Sequence, residues 1–391
     1  MRLTTGISKN NDSYEAGKEA VEQAEGADSE IIYLFASSSH DLDRLIDGAQ
    51  EAAKGTPLVG ASSTVEITKT ATEGAAVAGG FHDVKVSIGL GKGLDDNSYE
   101  AGKSAVNEAI EGFEGELIPY KIGDDGQKEK NVIVNMFADT LHGHGVHILD
   151  GITEELGYGF STAGQFAGDD LSFENTFIFY NEEVLEDAVS CIIMETENEV
   201  GGDKAHGFDQ TPNKYMVTDA DATYLKELDG KRPLTVYKNL FGEENAEDPG
   251  FLLMTPLGID RGEKEPQLRV TLDVDEEGCF SLGAPIEEDI EINMMRAKKP
   301  KLLDAAGKAA KEALEDAGLG KNEAKGALVF SCAGRHAVYD DMNLTEEEIN
   351  RISEELGEDV PILGLFAFGQ VATTNGRPRF HEETASIQVF R

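Results

Sequence analysis

The sequence predicts an α/β protein made of repeated helix–strand–helix–strand units that form layered sheets, with an additional β-rich segment in the middle. Three observations lead to this class. A helix-like segment recurs three times along the 391 residues, and an apolar run with the length of a buried strand follows each copy. Between the second and third copies, residues 171–290 carry short strand patterns instead of this repeat. Alternating helices and strands favour sheets that are at least partly parallel.

The first helix of each copy is the clearest repeat. It reads NDSYEAGKEAVEQA at 11–24, DNSYEAGKSAVNEA at 96–109 and, more faintly, DAAGKAAKEALEDA at 304–317. Alanine and valine or leucine recur at helical spacing, and the first two copies begin with Asp, Asn and Ser, which are residues typical of helix N-caps. We therefore expect three equivalent helices.

The next elements of each copy are a buried strand, a second helix and a second strand. The first strands are predicted at 31–37, 132–139 and 326–334, the second helices at 41–53, 146–157 and 343–357, and the second strands at 56–67, 157–170 and 360–372. The second copy also carries a polar insertion at 114–130, which we interpret as a surface loop or hairpin. The helix–strand–helix–strand unit thus occurs three times, and the sequences of the copies diverge increasingly along the chain.

The middle segment defines the predicted domain division. Residues 175–196 suggest a hairpin, residues 214–240 suggest two strands and a short helix, and residues 268–286 suggest two more strands. The glycine-containing loop at 201–213 precedes the strands of 214–240. We therefore divide the chain near residue 215, into domains 1–215 and 216–391.

Charge is the dominant feature of the composition. The chain has 75 acidic and 34 basic residues and a net charge of -41, and the acidic residues are spread over every segment. A uniform acidic excess is expected for a protein of a salt-rich cytoplasm, where salt screens its self-repulsion. Nucleic acid is excluded as a partner, because binding to phosphates requires clustered lysine and arginine.

Targeting and redox features also favour the cytoplasm. The sequence contains no run of about 18 apolar residues, which predicts no membrane span. The N-terminus lacks the apolar stretch of a signal peptide. The three cysteines, Cys191, Cys279 and Cys332, are far apart and form no disulfide framework.

The segment SCAGRHAVYDD at 331–341 resembles an active site, because Cys332 and His336 could form a nucleophile–base pair. The repeat argues against catalysis. Cys332 aligns with Ser37 and Asp139 in the other copies, so this position does not require sulfur. We expect Cys332 to line a ligand site or to be a small buried residue.

Histidines recur after the first strands. His40, His142 and His336 follow Phe35, Phe137 and Phe330 by five or six residues. They would share either a role in a pocket or a local role at the start of a helix, because loops beyond the carboxyl ends of strands form the ligand crevice of α/β sheets. His142 and His144 have a spacing that zinc sites use, but the flanking glycines fix no geometry, and we expect no metal and no cofactor.

Several ordered blocks of this sequence resemble the FIST family. The stretch LFASSSHDLDRLIDGAQEAAKGTPLVGASSTVEI resembles the N-terminal FIST domain, and STAGQFAGDD resembles its second block. KYMVTDADATYLKELDGKRPLTVY, FSCAGRHAVYDD and GLFAFGQVA resemble the C-terminal FIST domain. Two positions depart from the family pattern: Thr64 and Val65 precede Glu66, and Gln370 stands where the family has Glu.

The resemblance implies a sensory module that binds a small molecule such as an amino acid, acting as a stand-alone protein with a separate signalling partner. Whether it forms a homo-oligomer stays open. We hypothesise that Arg335 binds the ligand carboxylate and that Asp169 or Glu66 binds its amino group. The expected ligand-binding residues are Ser37, His40, Ser62, Ser63, Glu66, Asp169, Cys332, Arg335, His336 and Gln370.

Two alternatives remain. One is a hydrolase or transferase that uses Cys332 and His336, or a metal at His142 and His144. The other is a structural protein that has lost its pocket.

Overall fold

A computed structural model describes residues 1–119, 131–339, 341–374 and 376–391. In the described part, three units share one plan: an edge strand, a helix, a central strand, a second helix, a parallel strand and an antiparallel return strand. Part of the insertion predicted as a surface loop at 114–130 lies outside the described residues.

The first unit begins at the N-terminus. Its elements are β1 (Arg2–Ser8), α1 (Ser13–Gln23), β2 (Ile31–Ser37), α2 (Leu42–Ala53), β3 (Leu58–Ser63), the short strands β4 (Val65–Ile67) and β5 (Ala71–Thr72), and the return strand β6 (Ala76–His82). Asp12 is the N-cap of α1, and its side chain accepts a hydrogen bond from the backbone N–H of Glu15. The capping role predicted for this polar cluster is therefore confirmed.

The second unit repeats the plan. Its elements are β7 (Lys85–Lys92), α3 (Leu94–Glu111), β8 (Asn131–Ala138), α4 (Gly145–Leu156), β9 (Ser161–Phe166), the hairpin strands β10 (Ile178–Tyr180) and β11 (Glu183–Leu185), and the return strand β12 (Ala188–Thr196). Asn97 interrupts the helical geometry of α3 and accepts a hydrogen bond from the N–H of Glu100. It therefore caps the second helix as Asp12 caps the first.

The third unit is split by an inserted domain. Its edge strand β13 (Val200–Ala205) comes first, and the middle domain follows with β14 (Asp209–Asp221), β15 (Tyr224–Leu228), α5 (Pro233–Phe241), α6 (Glu243–Ala246), α7 (Pro249–Leu253), β16 (Leu257–Ile259), β17 (Gln267–Arg269), β18 (Thr271–Val274), β19 (Phe280–Leu282) and β20 (Glu291–Arg296). The unit then resumes with α8 (Lys299–Ala317), β21 (Gly326–Cys332), α9 (Ala333–Tyr339), α10 (Met342–Leu356), β22 (Ile362–Thr374), β23 (Arg377–His381) and β24 (Ala385–Phe390). Residue 215 lies within β14, and the division at that residue stays a prediction.

The described strands form three sheets. The first unit orders its strands β1-β6-β2-β3 and adds the hairpin β10-β11. The second and third units share one larger sheet, β13-β24-β21-β22-β9-β8-β12-β7, because β9 pairs with β22. The middle domain has its own sheet, β17-β16-β20-β14-β15-β19-β18. Each unit contains one parallel pair, so the predicted class of layered α/β sheets with a β-rich middle segment is confirmed.

The three units meet in a shared aromatic core. Phe35, Phe137 and Phe330 occupy the same position in the three central strands. Their rings are fully buried, and the ring of Phe137 contacts both of the others. Its centroid is 5.2 Å from that of Phe35 and 6.1 Å from that of Phe330. Such contacts between aromatic edges and faces stabilise a core beyond the area they bury. The repeat therefore places three equivalent strand ends around one point.

Two features of the units were not predicted from the sequence. The predicted strand at 56–67 is broken at Thr64, because β4 leaves the first sheet and pairs with β22 of the larger sheet. The return strand β6 reads AVAGGFH and the edge strand β1 reads RLTTGIS, and neither has a long apolar run. These strands are defined by pairing within the sheet rather than by local pattern.

Candidate ligand-binding site

The three central strands end in equivalent positions, occupied by Ser37, Asp139 and Cys332. The backbone N–H of each residue donates to a carbonyl at the start of the return strand, that of Ala75, Ala188 or Thr384, at 3.0–3.1 Å. The alignment of Cys332 with a serine and an aspartate is thus confirmed by the backbone. One local geometry is used three times with three different side chains.

The residue before each of these carbonyls has a left-handed backbone. Gly74, Asp187 and Glu383 have φ of +71°, +53° and +56°. Glycine adopts this conformation freely, whereas Glu383 does so at a cost in free energy. The guanidinium of Arg335 donates to the carbonyl of Glu383 at 3.3 Å and so helps to hold the turn. The structure therefore keeps a glutamate side chain at a turn position that favours glycine.

A cavity of about 490 Å³ lies beside this turn. Its wall is formed by the loop that follows β8, by the middle domain and by the third unit. Most of the wall is apolar, and its larger side chains include Leu141, Phe166, Phe173, Leu272, Phe368 and Phe380. Its polar groups include His144, Cys332, Glu382 and Glu383. An apolar cavity with a few convergent polar groups at a domain junction has the usual character of a small-molecule site.

Glu382 and Glu383 are the chemically distinctive part of this wall. Their side chains are 6% and 1% exposed, and the Oε2 atom of each lacks a hydrogen-bond partner within the described residues. Burial raises the pKa of Glu382 to about 7, against the attraction of Arg269, and raises that of Glu383 to about 8, against the attraction of Arg335. Two adjacent residues of the cavity wall thus carry buried carboxyl groups with unfilled acceptor capacity.

Two glycines make room for these carboxyl groups. A Cβ atom at Gly283 would collide with Oε1 of Glu382, and one at Gly334 would collide with Oε1 of Glu383. The backbone of the middle domain and that of α9 therefore approach the two side chains closely. This close approach keeps water away from the carboxyl groups and accounts for their raised pKa values.

Cys332 lies in the cavity wall as a protonated thiol. Its Sγ is 4.0 Å from Oε1 of Glu383, and burial together with that carboxyl raises the thiol pKa well above its usual value. His336, the proposed base, has Nδ1 2.8 Å from the hydroxyl of Thr345 and Nε2 3.5 Å from Glu73. The geometry gives Cys332 and His336 different partners, and it disfavours the thiolate that nucleophilic catalysis needs.

Arg335 lies behind the cavity wall rather than in it. The side chain is fully buried, and it pairs with Glu348 through Nε at 3.0 Å and Nη2 at 2.8 Å. Further donors reach the carbonyls of His206 and Leu302 at 3.0 and 2.8 Å. The guanidinium thus joins α10, α8 and the end of β13, and its donors bind the protein itself.

Asp169 organises the loop that closes one side of the cavity. Its carboxylate accepts hydrogen bonds from the hydroxyl of Ser172 and from the backbone N–H groups of residues 173, 174 and 175. Leu171 and Phe173 in this loop have positive φ values, and the ring of Phe173 stacks on Phe368 with centroids 4.4 Å apart. Asp169 therefore positions wall residues through the backbone.

Gln370 supports the turn that carries Glu382 and Glu383. Its Nε2 donates to the carbonyl of Phe368 at 2.7 Å, and its Oε1 accepts from the hydroxyl of Thr384 at 3.1 Å. The side chain therefore links β22 to the turn that carries Glu382 and Glu383. This position departs from the family pattern, and here the amide provides both a donor and an acceptor.

The structure places the remaining predicted residues in the first unit. Ser62 donates to the carbonyl of Gly168 at 2.7 Å, and Ser63 donates to Oε1 of Glu66 at 2.6 Å. The other oxygen of Glu66 accepts from the N–H of Ala75 at 2.8 Å. Burial raises the pKa of Glu66 to about 8, yet both of its oxygens have partners. These groups hold the strand end of the first unit together.

His40 and Asp169 line a second hollow, which lies between the first and second units and has a volume of about 450 Å³. Ser37 precedes Ser38 of its wall and contacts the hydroxyl of Ser39 at 2.7 Å and Asp170 at 3.3 Å, and Nδ1 of His40 is 3.2 Å from the hydroxyl of Ser13. Of the ten predicted residues, two line this hollow, Cys332 lines the large cavity, and the other seven line neither.

The histidines of the second unit diverge. Nδ1 of His142 is 2.7 Å from the carboxylate of Asp139, whereas His144 faces the cavity with its ring 5.5 Å from that of His147. Within the described ranges, three or more His, Cys, Asp or Glu residues nowhere form a group suited to a metal ion.

The helices described here include none with the length and apolar character needed to cross a bilayer.

Glu382 and Glu383 are the site residues that sequence reasoning missed. They lie in HEET at 381–384, directly before a return strand that was not predicted. In a chain with 75 acidic residues, two neighbouring glutamates attract no attention. The useful signal is positional, because the repeat places them at the turn that Gly74 and Asp187 occupy in the other units.

The fold defines a class: an α/β protein of three units with an inserted middle domain and a cavity where they meet. The FIST N domain model matches residues 30–231, and the FIST C domain model matches residues 233–373. The chain therefore belongs to the FIST family, whose domains are generally sensory domains of signal transduction that bind small ligands.

Two curated relatives match part of the chain. Uncharacterised proteins of Mycobacterium bovis and Mycobacterium tuberculosis are each 28% identical over 187 residues, which is 45% of this chain and 46% of theirs. The chain thus matches about half the length of these curated relatives.

Among solved structures, cyanuric acid hydrolase from A. caulinodans has a TM-score of 0.37 at 9% identity, covering 100% of this chain and 98% of that one. A T. maritima PurL complexed with ADP has a TM-score of 0.22 at 12% identity, covering 99% of this chain and 71% of that one.

Proposed function

We propose that this chain is a sensory protein that binds a small molecule in the cavity beside Glu382 and Glu383. One observation carries the proposal: the wall of an apolar cavity of about 490 Å³ includes two buried carboxyl groups whose Oε2 atoms lack a partner in the described part of the chain. Buried polar groups in proteins are almost always paired, and unpaired ones call for an explanation. A bound ligand would supply the missing hydrogen bonds.

The position of the cavity supports a sensory role. Its wall combines the second unit, the third unit and the inserted middle domain, so a ligand would contact all three at once. Nearby, the middle domain meets the third unit through ion pairs, with Glu265 3.9 Å from Lys204 and 3.4 Å from Lys308, and Glu263 3.0 Å from Arg379. An apolar cluster that includes Leu268, Met295 and Tyr339 also joins them, and a ligand in the cavity would add contacts to this junction. Ligand binding would therefore favour one domain arrangement, which a separate signalling partner could recognise.

The geometry changes the expected mode of ligand binding. In the amino-acid hypothesis, Arg335 binds the ligand carboxylate, but its guanidinium is fully buried and pairs with Glu348. Asp169 and Gln370 act in the proposal as positioning residues that hold the cavity wall. Glu382, Glu383 and Cys332 would contact the ligand.

The charge of the chain supports a cytoplasmic location with high salt. A net charge of -41 produces self-repulsion in dilute buffer, and salt screens it. Raising KCl from about 0.1 M to about 2 M should raise the thermal unfolding midpoint, because the Debye length falls from about 10 Å to a few ångströms. A midpoint that falls over this range would contradict the proposal.

The ligand-binding proposal is tested by filling the cavity. Ala337 lines it, and Ala337→Trp would place an indole inside. Asn350→Trp on the exposed face of α10 provides a matched control. A library of small metabolites is screened by thermal shift in molar salt, since a ligand that binds only the folded state raises its unfolding temperature.

We expect at least one compound to stabilise the wild type and Asn350→Trp but not Ala337→Trp. Stabilisation that survives in Ala337→Trp, or a library without any stabilising compound, would refute the cavity as the sensory site.

A further inference from the structure

We infer that the ligand of this cavity is a cationic amine with an apolar body, recognised through its ammonium group by Glu382 and Glu383. The inference rests on the proposed function and names the chemical class of ligand for the same site. It follows from the charge, the hydrogen-bonding capacity and the aromatic character of the wall.

The carboxyl pair has a nearby cation on each side, but both cations are engaged elsewhere. Arg335 is paired with Glu348. Arg269 donates through Nε to the carbonyl of Pro285 at 2.6 Å and through Nη1 to that of Leu268 at 2.8 Å. Lysine and arginine are absent from the described residues that line the cavity. Burial raises the pKa of both carboxyl groups, and the counter-charge that they need when they ionise is left for a ligand to supply.

Other ionisable groups around the pair do not remove this requirement. Glu348 lies on the far side of Arg335 and adds negative charge, and the Cys332 thiol stays protonated. His144 also faces the cavity, and burial together with His147 lowers its pKa, which favours the neutral imidazole. The electrostatic environment of the cavity is thus suited to a cation and opposes an anion.

The unpartnered oxygens match the hydrogen-bonding pattern of an ammonium group. An –NH₃⁺ group has three donors and no acceptor, whereas an ionised carboxyl group has only acceptors. Hydrogen bonds between such charged partners are about twice as strong as neutral ones. Among the described residues, Oε2 of Glu382 and Oε2 of Glu383 both lack a donor, and an ammonium group that reaches them would supply it.

The rest of the wall selects an apolar body. Phe166 and Phe380 meet edge to face with centroids 5.1 Å apart, and Phe173 stacks on Phe368. These rings offer faces and edges to an aromatic or branched aliphatic group, and aromatic faces also attract cations. A hydrophilic polyamine would leave this surface uncovered, and the carboxylate of a free amino acid would lie in a wall that offers carboxyl groups and no lysine or arginine among the described residues.

Three probes that share a phenylethyl group and differ in charge test the inference by isothermal titration calorimetry. They are 2-phenylethylamine, 2-phenylethanol and 3-phenylpropionate, titrated into the full chain in molar KCl. High salt suppresses the general attraction of any cation to the acidic surface. Glu382→Gln and Glu383→Gln remove one carboxylate each, and Glu346→Gln removes one exposed charge from α10 as the matched control.

We expect the amine to bind wild type and Glu346→Gln with 1:1 stoichiometry, roughly tenfold or more tightly than the alcohol, because only the amine forms charge-assisted hydrogen bonds. Each glutamine substitution in the pair should weaken the amine roughly tenfold and leave the alcohol nearly unchanged. Amine binding should also release protons near neutral pH, since a bound cation favours both carboxylates.

The outcomes separate this inference from the proposed function. If the alcohol or the acid binds as tightly as the amine, and Ala337→Trp abolishes that binding, the cavity is the site but the cationic class is wrong. Amine binding that Glu382→Gln and Glu383→Gln leave unchanged would also overturn the class. If the amine does not bind the wild type, the inference fails, and the metabolite screen then decides the proposed function.

Discussion

The second and third units each bury a carboxyl group where the central strand meets the return strand, but they treat it in opposite ways. In the second unit the group is on the central-strand side, where Asp139 accepts hydrogen bonds from the backbone N–H groups of Leu141 and Asp187 at 2.9 and 2.6 Å, from His142 at 2.7 Å and from Thr176 at 2.5 Å. In the third unit the group is on the return-strand side, where Oε2 of Glu383 lacks a partner among the described residues. The carboxyl group thus meets the protein's own donors in one unit and keeps an unpaired oxygen in the other.

This difference separates structural polar groups from binding groups. Arg335 and Glu348 are as buried as Glu383, but they satisfy each other. Burial and an unusual residue type attract attention in a sequence, yet neither identifies a site. Unfilled hydrogen-bonding capacity facing a cavity is the informative property.

The largest effect is expected at the buried ion pair. Glu348→Ala leaves the Arg335 guanidinium charged and unpaired in the interior, and the free energy of unfolding should fall by about 3–5 kcal/mol. Glu347→Ala removes the neighbouring exposed partner of Arg351 and should cost less than about 0.5 kcal/mol. Chemical denaturation of both variants measures the difference. Similar losses in the two variants would show that Arg335 and Glu348 are not a structural pair.

A smaller loss of stability is expected when Asp139 of the second unit loses one of its two acceptor oxygens. Asp139→Asn replaces one oxygen with an NH₂ group that faces existing donors, and unfolding should become easier by about 1–3 kcal/mol. Chemical denaturation again provides the measurement. A neutral effect would mean that the four hydrogen bonds of Asp139 do not stabilise this turn.

Removing the carboxyl group of Glu383 should instead stabilise the protein at high pH. Folding raises the pKa of Glu383 from 4.5 to about 8, so the folded chain retains a proton that the unfolded chain loses. This group therefore makes stability fall as the pH rises from about 4.5 to about 8. Glu383→Gln cannot ionise, and it should be more stable than the wild type at about pH 9 by on the order of 1 kcal/mol.

The pH dependence supplies its own control. At about pH 4 the wild-type carboxyl is protonated in both states, so Glu383→Gln should differ little from the wild type there. Thermal unfolding at both pH values measures the two differences. A variant that is equally destabilised at both would show that Glu383 has a structural role like that of Asp139.

The smallest effect is expected at Cys332. Because burial holds its thiol pKa well above the usual value, iodoacetamide should alkylate it in the native protein at less than about one tenth of the rate of a free thiol. Peptide mass mapping distinguishes it from Cys191 and Cys279, which are also buried. Fast alkylation confined to Cys332 would instead favour the hydrolase or transferase alternative.

Much of the fold could be predicted because it is written as a repeat. The predicted strand at 31–37 coincides with β2, and helix α2 begins one residue after the predicted start of its segment, at Leu42. The edge and return strands could not be predicted in the same way. Strands such as β6, with its glycines, depend on pairing partners that are distant in sequence.

The site was predicted only in part, for a different physical reason. Sequence reasoning could select Cys332 and its loop from the alignment of the copies. It could not show that Arg335 is paired with Glu348, because the two residues lie on different helices, α9 and α10. Nor could it show that Glu382 and Glu383 face a cavity, since much of that wall comes from the inserted middle domain.

A crystal structure of the chain with bound 2-phenylethylamine would test the central claim most directly. The account predicts density for the amine in the cavity lined by Phe166 and Phe368, with its nitrogen about 3 Å from carboxyl oxygens of Glu382 and Glu383. An amine bound in the second hollow, which His40 and Asp169 line, with the large cavity empty, would contradict the account.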